Sequence, residues 1–195
     1  MPSDRQQPDI RTLESRVVYA DPWIRLRQDQ IERRDGSRGT YAVVEKPDFA
    51  LVVPAEDGGF HLVEEYRYPI GRRSWSFPQG SFPAGATGQP EDLARLELRQ
   101  ETGLQARDLT RLGFLHCCHG LLTQGCHLFL ATGLERGAPD REHEEQDMRQ
   151  QWVTRDQFEQ MIEDGVITDD STLAAYALLL LHEKRAAGNR AAGRG

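Results

Sequence analysis

The stretch Gly80–Leu104, GSFPAGATGQPEDLARLELRQETGL, constrains this chain more than any other. A loop rich in Gly, Pro and Ala runs into a segment with helical signals at both ends. Pro90 suits a first helical turn, where its missing N–H would have no partner anyway. Glu91 and Asp92 follow, at the positive end of the helix dipole. Gly103 supplies a C-terminal stop. These signals predict a helix over 90–102. At about 100° per residue, Glu91, Asp92, Arg95, Arg99 and Thr102 share one side, a solvent face. Leu93, Ala94, Leu96 and Leu98 take most of the rest. Glu97, Gln100 and Glu101 fall inside that apolar sector. Glu97 and Glu101 are i, i+4 neighbours. Two like charges on a packed face are costly unless something pairs them. A hard divalent cation would do so, since Mg²⁺ takes carboxylate oxygens and leaves room for phosphate. The plainer alternative is a pair of solvated surface acids.

The chain has 195 residues and a net charge of −7. That length suits one domain with a substantial core. The acidic balance disfavours a nucleic-acid surface. An anionic nucleotide ligand is compatible with it if metal and arginines invert the charge locally. No apolar run is long enough to span a membrane, and MPSDRQQPDIR lacks a signal-peptide core. The expectation is a cytoplasmic protein. Cys117, Cys118 and Cys126, three in number, read as reduced thiols. His116, His119 and His127 stand near them, but their spacing fits no usual structural zinc pattern. Small apolar thiols in a half-buried strand are the better reading.

In chain order, residues 1–14 are polar and expected to be disordered. Strands are predicted at 15–20, within 23–34 and at 40–45, with Asp35-Gly36 as a hairpin turn. Residues 49–54 form an apolar run suited to a buried strand. Glu56-Asp57-Gly58-Gly59 marks a turn, and 60–66 returns as a strand. Arg67, Arg72 and Arg73 precede the helix, and guanidinium groups can grip phosphate oxygens. Tyr66 or Trp75 could stack on a base, or simply pack in the core. Beyond the helix, strands are expected at 109–119 and 126–134. The following loop carries Glu135, Asp140, Glu142, Glu144, Glu145 and Asp147. Gln151–Val153 reads as a strand, and Thr154 as the cap of a short helix. The last helix is expected over 169–184, capped by Asp170 or Ser171. Residues 186–195 read as a disordered tail.

The stretch 80–104 resembles the Nudix box, G-x5-E-x7-R-E-U-x-E-E-x-G-U, where U is bulky and aliphatic. Aligned from its end, Glu97 falls on the glutamate after the arginine and Leu98 on the first U. Glu101 falls on the second glutamate of the E-E pair, Gly103 on the glycine and Leu104 on the last U. The arginine position holds Leu96, the first glutamate of the pair is Gln100, and the early glutamate is Gly88. Gly80 as the box glycine makes the loop two residues longer than the pattern. VEEYRYPIGRRSWSFPQG resembles the ADP-ribose pyrophosphatase branch, where Q-Y-R-x-P leads to W-E-x-P-A-G. Tyr66, Arg67, Pro69, Trp75, Pro78 and Gly80 fit; Glu65, Ser76 and Gln79 depart. ADPWIRLRQDQI with DGSRGTYAVVEKP, and EDGVITDDSTLAAYALL near the other end, are similar to the same branch.

This resemblance implies an α+β Nudix fold: a mixed β-sheet sandwiched between helices (α/β/α), with a small N-terminal antiparallel β subdomain. The expected division is 15–46 for that subdomain and 47–185 for the Nudix domain. The implied activity is metal-dependent hydrolysis of the pyrophosphate in a nucleoside diphosphate linked to another moiety, ADP-ribose or another nucleotide sugar. The alternative is a weak or inactive Nudix domain acting as a nucleotide-binding or regulatory module. Glu97 and Glu101 would hold Mg²⁺ or Mn²⁺, with a main-chain carbonyl near Gly80 as a third ligand and Gln100 orienting a water. Glu144 or Glu145 would be the general base. Arg67, Tyr66 and Arg72 would bind substrate. A homodimer is implied, with neither nucleic acid nor membrane as partner.

Overall fold

The computed structural model describes residues 8–82, 87–140 and 147–192, with side chains through residue 189. The chain divides into two compact units, residues up to Pro47 with His116–Gln124, and Asp48–Leu115 with the remainder from Gly125.

The first unit is a three-stranded antiparallel sheet, β1 (Ile10–Ala20), β2 (Arg25–Arg33) and β3 (Arg38–Glu45), in that order. The first strand begins at Ile10, inside the segment expected to be disordered, and pairs Ile10 with Arg33. Every residue of β1 is exposed, which explains why no apolar alternation announced its first half. Gly36 adopts a left-handed φ of 82° in the β2–β3 turn. The excursion 116–124 belongs to this unit: Val44 N–H donates to the Leu121 carbonyl at 2.9 Å and Thr123 N–H to the Val44 carbonyl at 3.0 Å.

The second unit holds a seven-stranded mixed sheet. Its strands are β4 (Phe49–Glu56), β5 (Gly59–Arg67), β6 (Arg72–Ser76), β7 (Gln79–Ser81), β8 (Leu104–His116), β9 (Gly125–Arg136) and β10 (Arg149–Thr154). The main path runs β10-β5-β4-β9-β8, with β6 on β5 and β7 on β4. The β4–β9 pair is parallel and central, so both its faces are covered. Ala50 and Val52 of β4 pack with Phe129 and Ala131 of β9 and with Leu93, Ala94 and Leu98 of helix α1 (Pro90–Thr102). On the other face lie helices α2 (Arg155–Glu163) and α3 (Asp170–Ala192). There Phe60, Phe77, Phe158 and Tyr176 form a ring cluster with centroids 4.9–5.9 Å apart. The layers are therefore α1, sheet, then α2 with α3.

Helix α1 has the predicted bounds, and Gly103 ends it in the left-handed region at φ 73°. Thr102 differs from the reading: it is buried, its hydroxyl donating to the Leu98 carbonyl and accepting from Leu104 N–H. Thr154 and Gln157 form a reciprocal capping box on α2. Asp169, rather than Asp170 or Ser171, caps α3, accepting from Thr172 N–H at 2.8 Å. That helix continues through Ala192, across most of the expected tail. Cys117 and Cys118 lie in a turn, not a strand, with Cys118 exposed at φ 40°. Cys126 alone of the thiols is buried, in β9. Among the described residues no helix is long and apolar enough to cross a membrane.

Phe158 is fully buried at the centre of the ring cluster. Phe158→Ala is expected to lower unfolding free energy by about 3–5 kcal/mol, measured by urea denaturation.

Candidate metal and substrate site

Glu97 and Glu101 sit one turn apart on α1 and are only 7% and 2% exposed. The solvated-acid alternative is thereby set aside. Both lie on the side of the helix that packs against the sheet, as do Leu93, Ala94 and Leu98. The register explains what faces Glu97. Gly80 of β7 pairs with Ala50 of β4, and Ala50 belongs to the cluster under α1. A Cβ at Gly80 would point the same way and stand 2.5–2.6 Å from the Glu97 carboxylate atoms. No side chain fits there, so the β7 main chain lies directly against the carboxylate.

Gln100 is half-buried, and its main-chain carbonyl accepts from Asp140 N–H at 3.1 Å. Gly137 N–H donates to the Gly103 carbonyl at 2.8 Å, and a Cβ at Gly103 would meet the Gly137 carbonyl at 2.5 Å. The start of the acidic loop is therefore fastened to the end of the helix that carries Glu97 and Glu101. Its far end is fastened by Arg73, which reaches Asp147 Oδ2 at 2.6 Å, the Asp147 carbonyl at 2.9 Å and Glu64 Oε2 at 2.8 Å. Glu144 and Glu145, the expected bases, lie outside the described residues. Leu96, in the box arginine position, packs half-buried against the core cluster.

Among the described residues no group of three or more His, Cys, Asp or Glu could hold a metal ion, and this includes the histidines and cysteines around 116–127. What α1 and β7 bring together is two buried carboxylates and an adjacent main chain. An all-oxygen set of that kind fits Mg²⁺, which is commonly held by one or two carboxylates plus substrate phosphates.

A cleft of about 530 Å³ is lined by β6, the end of β5 and the start of α3. Arg67 and Arg72 are cross-strand partners and both line it. Arg67, however, is engaged by Glu65 Oε1 at 2.6 Å. Arg72 instead donates to the Thr168 hydroxyl at 2.8 Å. Tyr66 faces the opposite side of the strand, where it pairs with Arg73, and does not line the cleft. The structure thus brings Arg67 and Arg72 together and leaves Tyr66 out. Reading the sequence missed Ser74, Thr168 and Asp169. The signal available for Ser74 was its alternation with Arg72 and Ser76.

Burial pushes the Glu65 carboxyl above its ordinary value of 4.5; Arg67 pulls it back down, and Asp147 raises it again. A carboxyl raised in the fold favours folding while protonated, and that contribution is lost as pH rises through its folded value. Glu65→Gln is therefore expected to melt higher than wild type at about pH 8 and to lose that advantage below the ordinary carboxylate range. Melting temperatures across that interval test it; a wild-type advantage at high pH would contradict it.

Comparison with known proteins identifies the family. A model described as the nucleoside diphosphate sugar hydrolase N-terminal domain matches residues 10–44, and the NUDIX domain model matches residues 45–176. An ADP-ribose pyrophosphatase of Mycobacterium tuberculosis is 33% identical over 89% of this chain and 84% of its own length. An ADP-ribose pyrophosphatase of Bacillus subtilis is 26% identical over 90% and 94%. A solved structure described as an ADP compounds hydrolase superposes with a TM-score of 0.79 at 20% identity, covering 94% of this chain and 97% of that one. The last likeness shows the fold. With the domain models covering residues 10–176 and the mycobacterial relative spanning most of both chains, this protein belongs to the Nudix hydrolase family.

Proposed function

We propose that this protein hydrolyses the pyrophosphate bond of a nucleotide sugar, ADP-ribose being the first candidate, to a nucleoside monophosphate and a sugar phosphate. One observation carries the reading: the buried Glu97–Glu101 pair on α1 with the Gly80 main chain against it. The names of the mycobacterial and Bacillus relatives support the substrate class.

In this reading Glu97, Glu101 and the main chain at Gly80 hold a divalent ion, Mg²⁺ or Mn²⁺. When bound, such an ion neutralises phosphoryl oxygens and makes a water more acidic. Gln100 orients a water by hydrogen bonding and adds no charge. Water oxygen bonds to one phosphorus, the bridging P–O bond breaks, and the water proton passes to Glu144 or Glu145. Attachment of the loop's start to Gly103 and Gln100, and of its end to Arg73, supports the assignment of the base to that loop. The substitutions at Leu96 and Gln100 favour a second reading, a catalytically weak domain that binds nucleotides.

We assign a homodimer to the first unit. Its edge strand β1 exposes Ile10, Leu13, Val17, Val18 and Tyr19, a template for pairing with a second copy. Val17→Lys is expected to shift a dimer toward monomer in sedimentation analysis; a wild-type monomer would contradict the assignment.

Glu101→Gln is expected to reduce metal-dependent turnover of ADP-ribose by roughly a hundredfold or more while the fold persists. Gly80→Ala should do likewise, because its Cβ displaces the Glu97 carboxylate. Phosphate release assays with Mg²⁺ or Mn²⁺, beside circular dichroism, test both. Absence of turnover in wild type, with thermal stabilisation by a nucleotide sugar, would favour the second reading.

A further inference from the structure

Helix α1 has a second charged face. Arg95 and Arg99 are exposed and lie one turn apart, each two residues from Glu97 and so about 160° around the axis from it. With Asp92, Leu96, Gln105 and Ala106 they line a groove of about 310 Å³ between α1 and the start of β8. Arg95 Nη1 donates to the Ala106 carbonyl at 2.5 Å, which holds one guanidinium against the β8 wall. Arg99 makes no ion pair or side-chain hydrogen bond among the described residues. Asp92 makes none there either, although it stands three residues before Arg95. Asp108, the next acid along β8, is taken by Arg107 at 2.9 Å. Among the described residues, therefore, no carboxylate neutralises the two guanidinium groups of the groove, in a chain whose net charge is −7. A lone arginine in the last turn of a helix is explained by the helix dipole. That does not account for a second guanidinium one turn earlier beside a groove.

The chemistry of the groove is graded along its length. Arg95, Arg99 and the Gln105 amide supply donors. Asp92, seven residues before Arg99, lies about 10 Å away along the helix. Leu96 falls between them and is half-buried. A phosphomonoester dianion offers three acceptor oxygens, enough for two guanidinium forks and an amide. A carboxylate offers two and carries less charge. A hydroxylated organic part on the phosphate would cross Leu96 and donate to Asp92.

We propose that the groove between α1 and β8 is a binding site for a small phosphomonoester, separate from the carboxylate centre, with Arg95 and Arg99 holding the phosphate and Asp92 accepting from a hydroxyl of the organic part. The site goes beyond the hydrolase reading and holds whether or not the protein turns over a nucleotide sugar. Glycerol 3-phosphate, inorganic phosphate and glycerate, titrated into the full chain by calorimetry with EDTA present and NaCl fixed, test it. Glycerol 3-phosphate binds most tightly, and glycerate, with a carboxylate in place of the phosphate, most weakly. Arg99→Gln weakens glycerol 3-phosphate binding by about five- to twentyfold. Arg72→Gln, in the cleft lined by β6, leaves it unchanged. Asp92→Ala lowers the affinity ratio of glycerol 3-phosphate to inorganic phosphate by about threefold. In wild type, backbone amide shifts on titration gather at 92–106, a measurement that needs no variant to fold.

Equal affinity in wild type and folded Arg99→Gln overturns the site and leaves Arg99 as a partner of the helix dipole alone. Amide shifts confined to 65–76, or binding lost in Arg72→Gln instead, overturn it as well. So does a wild type that shows neither heat nor amide shifts with any of the three probes.

Discussion

The close approach of the Glu97 carboxylate to the main chain at Gly80 governs the arrangement of the second unit. It requires a residue without a side chain on β7, and it requires β7 to pair with β4 in the register that sets Gly80 opposite Ala50. That register in turn places Phe82 and helix α1 over the apolar cluster of β4 and β9. Two carboxylates, Glu97 and Glu101, are buried one turn apart on that packed face. The helix is held by its leucines, so the energy of core formation is what keeps two acids in place.

Around that contact the chain spends its arginines differently. Arg73 ties Glu64 to Asp147 and fastens the end of the acidic loop. Arg67 is matched by Glu65 two residues away on the same strand face. Arg72 is left to a hydroxyl. A row of three guanidinium groups that looks uniform in sequence thus divides into an anchor, a neutralised neighbour and an available donor.

Elements with local punctuation were legible in the sequence. Pro90 and Gly103 bracket α1, and Thr154 with Gln157 begins α2, because capping chemistry acts over a few residues. Two strands were not legible. The cleft-facing side of β6 is Arg72, Ser74 and Ser76, so the apolar alternation that marks a strand is missing where the strand lines the cleft. Strand β7 is three residues long and contains the glycine that Glu97 demands. The first half of β1 was missed for a related reason, since both of its faces are exposed. Helical phase set Glu97 and Glu101 in the apolar sector of α1, where both are buried, but by itself left a solvated pair open. The pairing of Arg67 could have been read from Glu65, whose i, i+2 spacing puts it on the same strand face.

The excursion between β8 and β9 has a consequence for how the two units can be inherited. Residues 116–124 return to the first unit, where Tyr41 donates to the Gly120 carbonyl at 3.1 Å and Val44 and Thr123 exchange main-chain bonds. The polypeptide therefore crosses between units at residues 47, 115 and 124. A gene fragment beginning at Asp48 would not encode a free-standing module: it would carry a nine-residue piece of its neighbour and strand Leu121 and Leu122 without the β3 edge they join. The N-terminal sheet and the catalytic unit are woven rather than joined end to end, and neither can be exchanged by simple recombination at a linker.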